Sequence, residues 1–191
     1  MQQRGVTLIE MMVGLIIVAL LATVGAPSVA NWIRGMKIRT TAESISSGLQ
    51  LARTEALRRN AILRFQLVDK LDDECKPNTA GPHWIVSRDD TTGKCGGETS
   101  ETEGARIVQA HNGNAEGGGE TLISSTQTSF TFNGLGQLTS ASGSIDITGP
   151  SGASDCVEKG QKTRCLRINI TSGGGVRMCD PALSATDTQG C

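Results

Sequence analysis

Aromatic residues are scarce in this chain of 191 residues, which has no tyrosine, three phenylalanines and two tryptophans. A core with so few large rings buries little apolar surface, and the 24 glycines favour turns and loops. An excess of either charge is also lacking, since the formal net charge is -1. Overall charge therefore gives no reason to expect a nucleic-acid partner. Together these absences predict a loop-rich, β-leaning domain with a modest core.

Sequence patterns typical of catalysis are missing as well. The chain has no H-E-x-x-H and no G-x-S-x-G, and its TTGK stretch lacks the earlier glycine of a P-loop. His83 precedes an apolar strand and His111 lies in a glycine-rich loop, so we expect both to be ordinary surface residues. The acids of DDEC and RDD do not match an EF-hand, which favours solvated turns over a calcium site. We expect neither an enzyme nor a cofactor.

Charge is absent altogether from Met11 to Ile33. This apolar run is as long as the roughly 20 residues that a membrane-spanning helix needs. A cleavable secretory signal is the alternative, with cleavage after Ala26 or Ala30. The short leader MQQRG, the acid at Glu10 and a helical pattern that continues beyond the run favour a membrane anchor instead.

The start of the chain carries a recognisable signal. Gly5 followed by VTLIEMMVGLIIVALLA resembles the signal of type IV pilins and of the pseudopilins of type II secretion. The resemblance implies that a prepilin peptidase removes the leader 1–5 by cutting between Gly5 and Val6, and methylates the new amine of Val6. Val6 departs from the usual phenylalanine. Pro27 falls where pilins commonly carry a helix-kinking proline.

Glu10 becomes the fifth mature residue under this resemblance. A charged side chain in the apolar layer costs on the order of 2.5 to 3.5 kcal/mol, so it persists mainly where it has a partner. The resemblance implies that this partner is the α-amine of a neighbouring subunit, inside a filament core whose low dielectric strengthens the pair. A position of Glu10 at the lipid headgroups is the alternative, chiefly for the unassembled protein.

A helical stripe follows the apolar run. Apolar residues recur at alternating steps of four and three, at Ile38, Ala42, Ile45, Leu49, Ala52 and Ala56. We predict one helix over 6–59, kinked near Pro27, with a transmembrane and assembly half at 6–33 and an amphipathic half at 34–60. Four arginines near its end suit the helix dipole better than a nucleic-acid face, namely Arg53, Arg58, Arg59 and Arg64.

The pattern changes to short alternations beyond Asn60. Strands are predicted within 61–69, 83–89, 105–110, 129–138, 144–149 and 165–179. Because neither the helix nor a sheet buries its apolar face alone, we expect them to pack together. The resulting fold class is α+β, a type IV pilin fold in which a long N-terminal helix packs against a C-terminal antiparallel β-sheet domain over 61–191.

Later segments narrow the family. GLQLARTEALRRN, FTFNGLGQL and GGGVRMCDP resemble the GspH/FimT family of minor pilins and pseudopilins, most of all its FimU-type members. The resemblance implies a minor pilin of a type IV pilus, with a pseudopilin of type II secretion or a DNA-binding minor pilin as alternatives. The DNA-uptake members carry a Gly-Arg-x-Arg motif, of which Gly175 and Arg177 are present and the first arginine is not. DNA contact by Arg177 is therefore the weaker alternative.

Six cysteines all lie beyond the apolar run, which favours disulfides in an oxidising compartment. We expect local closures, Cys75 with Cys95, Cys156 with Cys165 and Cys179 with Cys191. A zinc site is the rival interpretation, but no C-x-x-C pair occurs and neither histidine has ligand spacing. We therefore expect no metal.

Flanking charges and cysteines disagree about topology. Arg34, Lys37 and Arg39 follow the run whereas Arg4 alone precedes it, which would leave the large domain in the cytoplasm. Long domains translocate largely regardless of such charges, and the cysteines favour the outside. We expect a single-pass inner-membrane protein with a periplasmic C-terminal domain. It then joins a pilus with other minor pilins and the major pilin through the N-terminal helices.

Overall fold

The computed structural model describes residues 7–100, 102, 104–116, 121–157 and 163–191, without the side chains of 22–28, 115, 116 and 155. Gly5 and Val6, the residues of the predicted cleavage, therefore lie outside the described residues. The chain divides into two compact units, Met1–Ile33 and Arg34–Cys191.

Helix α1 covers Leu8–Arg59, close to the predicted helix. It ends where Asn60 adopts a left-handed conformation with φ of 45°. The N–H of Ala61 donates to the carbonyl oxygen of Ala56 at 3.1 Å, and the N–H of Asn60 donates to that of Leu57 at 3.3 Å. This pair of bonds is a Schellman motif, in which asparagine replaces the usual glycine.

Pro27 lies inside α1, so the proline does not end the helix. The kink there stays a prediction. No helix within the described part of the chain combines the length and the apolarity that crossing a bilayer requires. The transmembrane half predicted for 6–33 stays a prediction.

Eight strands follow the helix. They are β1 (Leu63–Val68), β2 (His83–Ser87), β3 (Ile107–His111), β4 (Leu122–Ser125), β5 (Ser129–Phe132), β6 (Gly143–Thr148), β7 (Leu166–Ile170) and β8 (Val176–Cys179). They form two antiparallel four-stranded sheets, with the orders β3-β2-β1-β5 and β4-β6-β7-β8. We predicted a single sheet and missed β4, whose sequence LISS has too short an alternation to indicate a strand.

The main core lies between α1 and the two sheets. All six residues of the predicted stripe are almost completely buried, at 0–1% exposure. They pack in one cluster with residues from both sheets, including Phe65, Trp84, Phe130, Ile145 and Ile168. The prediction that sheet and helix bury each other is confirmed. Gly48 allows α1 to lie close to the sheet, since a Cβ there would lie 2.8 Å from Phe65 Cε2 and 3.0 Å from the Trp84 ring.

A second, smaller cluster covers the other face of β2. It contains Val68, Ile85, Ala105 and Ile107 together with the Cys75–Cys95 disulfide. The remaining disulfides join Cys156 to Cys165 and Cys179 to Cys191. These are the three local pairs that we expected from the sequence.

Candidate assembly segment and C-terminal region

Thr7 and Glu10 form the start of α1. The backbone N–H of Glu10 donates to Thr7 Oγ1 at 3.4 Å, and the Thr7 hydroxyl lies 3.5 Å from Glu10 Oε2. Threonine before the helix and glutamate three residues later are the residues of a capping box, which satisfies N–H groups that a helix start leaves unpaired. A carboxylate in the first turn also complements the helix dipole. Glu10 therefore has a local structural role that the sequence analysis missed, although Thr-x-x-Glu was the signal for it.

The first turns of α1 expose apolar side chains on every side. From Leu8 to Leu21 the large apolar residues are 50–79% exposed. Because consecutive residues point in different directions around a helix, no polar face remains. Such a surface needs a cover of lipid or of other apolar helices.

Arg177 anchors the C-terminal tail. Its Nη2 donates to the carbonyl oxygens of Gly190 at 2.8 Å and of Thr188 at 3.0 Å. The N–H of Asp180 donates to the carbonyl oxygen of Gln189 at 2.7 Å, so the tail runs beside the end of β8. The Cys179–Cys191 disulfide closes the same loop. This guanidinium is engaged in holding the fold, which disfavours the DNA contact considered for it.

His83 is buried, contrary to the expectation of a surface residue. It shares a strand face with Ile85 of the second cluster, and its Nε2 lies 3.5 Å from Asn114 Nδ2. Burial lowers the pKa of His83 below its usual value, and nearby His111 lowers it further. His111 is half-buried and stacks on Trp84, with ring centroids 4.9 Å apart.

Metal-ligating side chains do not converge in the part of the chain that the structure describes. No group of three or more His, Cys, Asp or Glu residues there could hold a metal ion. The acids of the predicted turns serve as local acceptors and ion-pair partners instead. Asp72 Oδ1, for example, accepts the N–H of Glu74 at 2.9 Å.

The arginines at the end of α1 have partners within the fold. Glu55 Oε2 lies 2.8 Å from Arg58 Nη2 and 2.6 Å from Arg59 Nε. These hydrogen bonds lower the pKa of Glu55. Arg64 Nη1 lies 3.4 Å from Oδ2 of Asp90, in the loop after β2, and Arg53 Nε donates to the carbonyl oxygen of Gly136 at 3.2 Å. A structural role is therefore favoured for all four.

A long N-terminal helix followed by antiparallel sheets defines the class as a type IV pilin fold. The family model described as type II transport protein GspH matches residues 41–174, and the prokaryotic N-terminal methylation motif matches 1–26. The chain belongs to the GspH family and is a GspH/FimT/FimU-like type IV pilin.

Solved structures share this fold at low sequence identity. The type IV minor pilin FimU of Pseudomonas aeruginosa is 16% identical, with a TM-score of 0.50 over 74% of this chain and 87% of that one. The minor pseudopilin EpsH of the type 2 secretion system of Vibrio cholerae is 10% identical, with a TM-score of 0.46 over 76% of this chain and 98% of that one. GspH of E. coli is 15% identical, with a TM-score of 0.42 over 81% of this chain and 93% of that one. No curated protein matches the chain in sequence.

Proposed function

We propose that this chain is a minor pilin, a structural subunit that joins the assembly-initiating complex near the tip of a type IV pilus. The observation that carries the proposal is the apolar surface of α1, exposed on every side from Leu8 to Leu21. A helix of this kind is stable in water only when something covers it. Lipid is its cover before assembly, and the N-terminal helices of other minor pilins and the major pilin are its cover afterwards.

Processing prepares the chain for assembly. Prepilin peptidase cuts between Gly5 and Val6 and methylates the amine of Val6, which the matched methylation motif supports. The carboxylate of Glu10 then attracts the amine of a neighbouring subunit, since two opposite charges in a low-dielectric core attract strongly. The contact of the Thr7 hydroxyl with Glu10 Oε2, at 3.5 Å, supports this role because it keeps the carboxylate beside the first helical turn.

The chain is first anchored in the inner membrane, with its C-terminal domain in the periplasm. Three disulfides within the second unit support an oxidising location for that domain. The protein reaches the cell surface as part of the pilus. Its function is to pack with other subunits in the filament, and we propose no enzymatic activity.

A pseudopilin of a type II secretion filament is the second candidate, supported by membership of the GspH family. A DNA-binding minor pilin is the third, and it requires Arg177 to contact phosphates. The bonds of Arg177 to the C-terminal tail weigh against the third candidate.

One experiment tests processing and filament type together. Mass spectrometry of the membrane form should show loss of residues 1–5 and gain of one methyl group. Sheared surface pili should then contain the protein, and deletion of its gene should impair piliation. Secretion defects with normal piliation would support the pseudopilin instead, and an N-terminus after Ala26 or Ala30 would overturn both.

A further inference from the structure

A tight loop between β5 and β6 presents one large apolar side chain to solvent. Asn133 Oδ1 accepts the N–H groups of Leu135 and Gln137, each at 3.0 Å. The N–H of Asn133 donates to the carbonyl oxygen of Gln137 at 2.9 Å, and the N–H of Gly136 donates to that of Asn133 at 2.8 Å. Gly136 has φ of 71°, a conformation that suits glycine. The loop is thus held in one shape by its own hydrogen bonds.

The end of α1 packs against this loop. Arg53 Nε donates to the carbonyl oxygen of Gly136 at 3.2 Å. Side-chain atoms of Leu57 lie 3.1–3.2 Å from where a Cβ on Gly136 would be, and Gly134 sits directly against Asn60. Both glycines are therefore needed for close packing, which leaves Leu135 between them pointing away from the domain.

Leu135 is 74% exposed, the most exposed large apolar residue that the structure describes within Arg34–Cys191. Leu57 and Ile62, on either side of Asn60, are also about half exposed. Single exposed leucines are common on protein surfaces and need no explanation. Leu135 differs from such a leucine because its loop is held in one shape by hydrogen bonds. An apolar side chain on a backbone that is already fixed loses little entropy when a partner binds.

Charge around these residues is mainly positive. The last two turns of α1 carry Arg53, Arg58 and Arg59 against Glu55 alone, and the Arg58 side chain is 63% exposed. We call Leu57, Ile62 and Leu135 with their arginine rim the leucine surface. An apolar centre with a charged border is the arrangement of a protein-binding site.

We propose that the leucine surface docks a neighbouring filament subunit that offers an apolar recess bordered by carboxylates. Charge complementarity selects this occupant, since an arginine rim is matched by acids. A nucleic acid fits less well, because its affinity comes mainly from phosphate contacts and the centre of this surface is apolar, with Leu135 74% exposed. This inference rests on the proposed function, because it assumes that the chain enters a filament.

Site-specific photo-crosslinking tests the contact. The full-length chain would carry p-benzoyl-phenylalanine in place of Leu135, in cells that build the complete filament. Irradiation should join it to another filament subunit, at a peptide that contains Asp or Glu. Leu122 is the matched control, since it is 48% exposed and lies on β4. Adducts at 135 only with nucleic acid or with another copy of this chain, or equal yields at 122 and 135, would overturn the proposal.

A pair of matched substitutions gives a second readout. Leu135→Ser should lower the amount of the chain in sheared filaments by about tenfold, the loss expected for an anchor residue. Leu122→Ser should leave that amount unchanged, and both variants should keep the unfolding temperature of the wild type. Equal incorporation of the two variants would refute the proposed docking by the leucine surface and would leave the proposed function standing. Absence of the wild-type chain from filaments would instead refute the proposed function.

Discussion

Arg177 Nη2 lies 2.8 Å from the carbonyl oxygen of Gly190, so an exposed arginine on β8 secures the last residues of the chain. The C-terminal tail that Arg177 holds runs beside the end of β8, where Asp180 pairs with Gly190. Arg177 and the Cys179–Cys191 disulfide thus act on the same loop.

Replacing Arg177 by alanine should destabilise the domain. Hydrogen bonds from a charged group contribute on the order of 1 kcal/mol where solvent competes, so Arg177→Ala should lower the unfolding temperature of the full chain in detergent by a few degrees. Arg88→Ala, at an exposed arginine after β2, is the control and should change it much less. Loss of DNA retention in Arg177→Ala without any loss of stability would contradict the structural role.

Two glycines of α1 should respond in opposite ways to alanine. Gly48→Ala places a methyl group against the rings of Phe65 and Trp84, and such overpacking costs about 1–3 kcal/mol, more than the gain in helix propensity. Around Gly35 nothing lies within 4 Å of the new methyl group, so Gly35→Ala should stabilise the helix by roughly 0.5–1 kcal/mol. Chemical unfolding of the unassembled chain in detergent measures both. A stabilising Gly48→Ala would show that the helix and sheet pack less closely than described.

The buried His83 makes stability depend on pH. Its pKa is lowered in the folded state, so as pH falls below about 6.5 the unfolded chain takes up a proton that the folded chain does not. Stability is therefore full above that pH and is lost as pH falls toward the folded-state pKa. The groups around it are His111, Asp69 and Asn114, of which Asp69 opposes the shift.

Unfolding measurements of the full chain between pH 8 and pH 5 would reveal this loss. His83→Gln removes the titrating group, so the variant should lose less stability than the wild type over that range. An identical pH dependence in both proteins would assign the acid sensitivity to other groups.

The helix stripe could be predicted from sequence because it depends on local spacing alone. Ala42 and Leu49 are buried as their period indicated. His83 was misplaced because its burial depends on distant parts of the chain, such as Asn114, which lies 31 residues further along and which no local pattern reveals. The same limit applies to Arg177, whose partners lie 11 and 13 residues further along the chain.

Thr7 and Leu135 were missed for different reasons. Thr7 with Glu10 matches the capping-box pattern and was predictable. Leu135 lies in a segment assigned to a strand, because the alternation of FTFNGLGQL continues past Phe132. The hydrogen bonds of the Asn133 side chain turn the backbone there. The direction of Leu135 follows only from the packing of Gly134 and Gly136 against the end of α1.

Glu10→Gln offers the most direct measurement, because the amide retains an oxygen for the hydrogen bond with Thr7 but removes the negative charge. The amount of this variant in sheared filaments should fall strongly, while its level in the membrane and its cleavage after Gly5 stay normal. Incorporation equal to that of the wild type would contradict the account that this carboxylate draws a neighbouring subunit's amine into the filament.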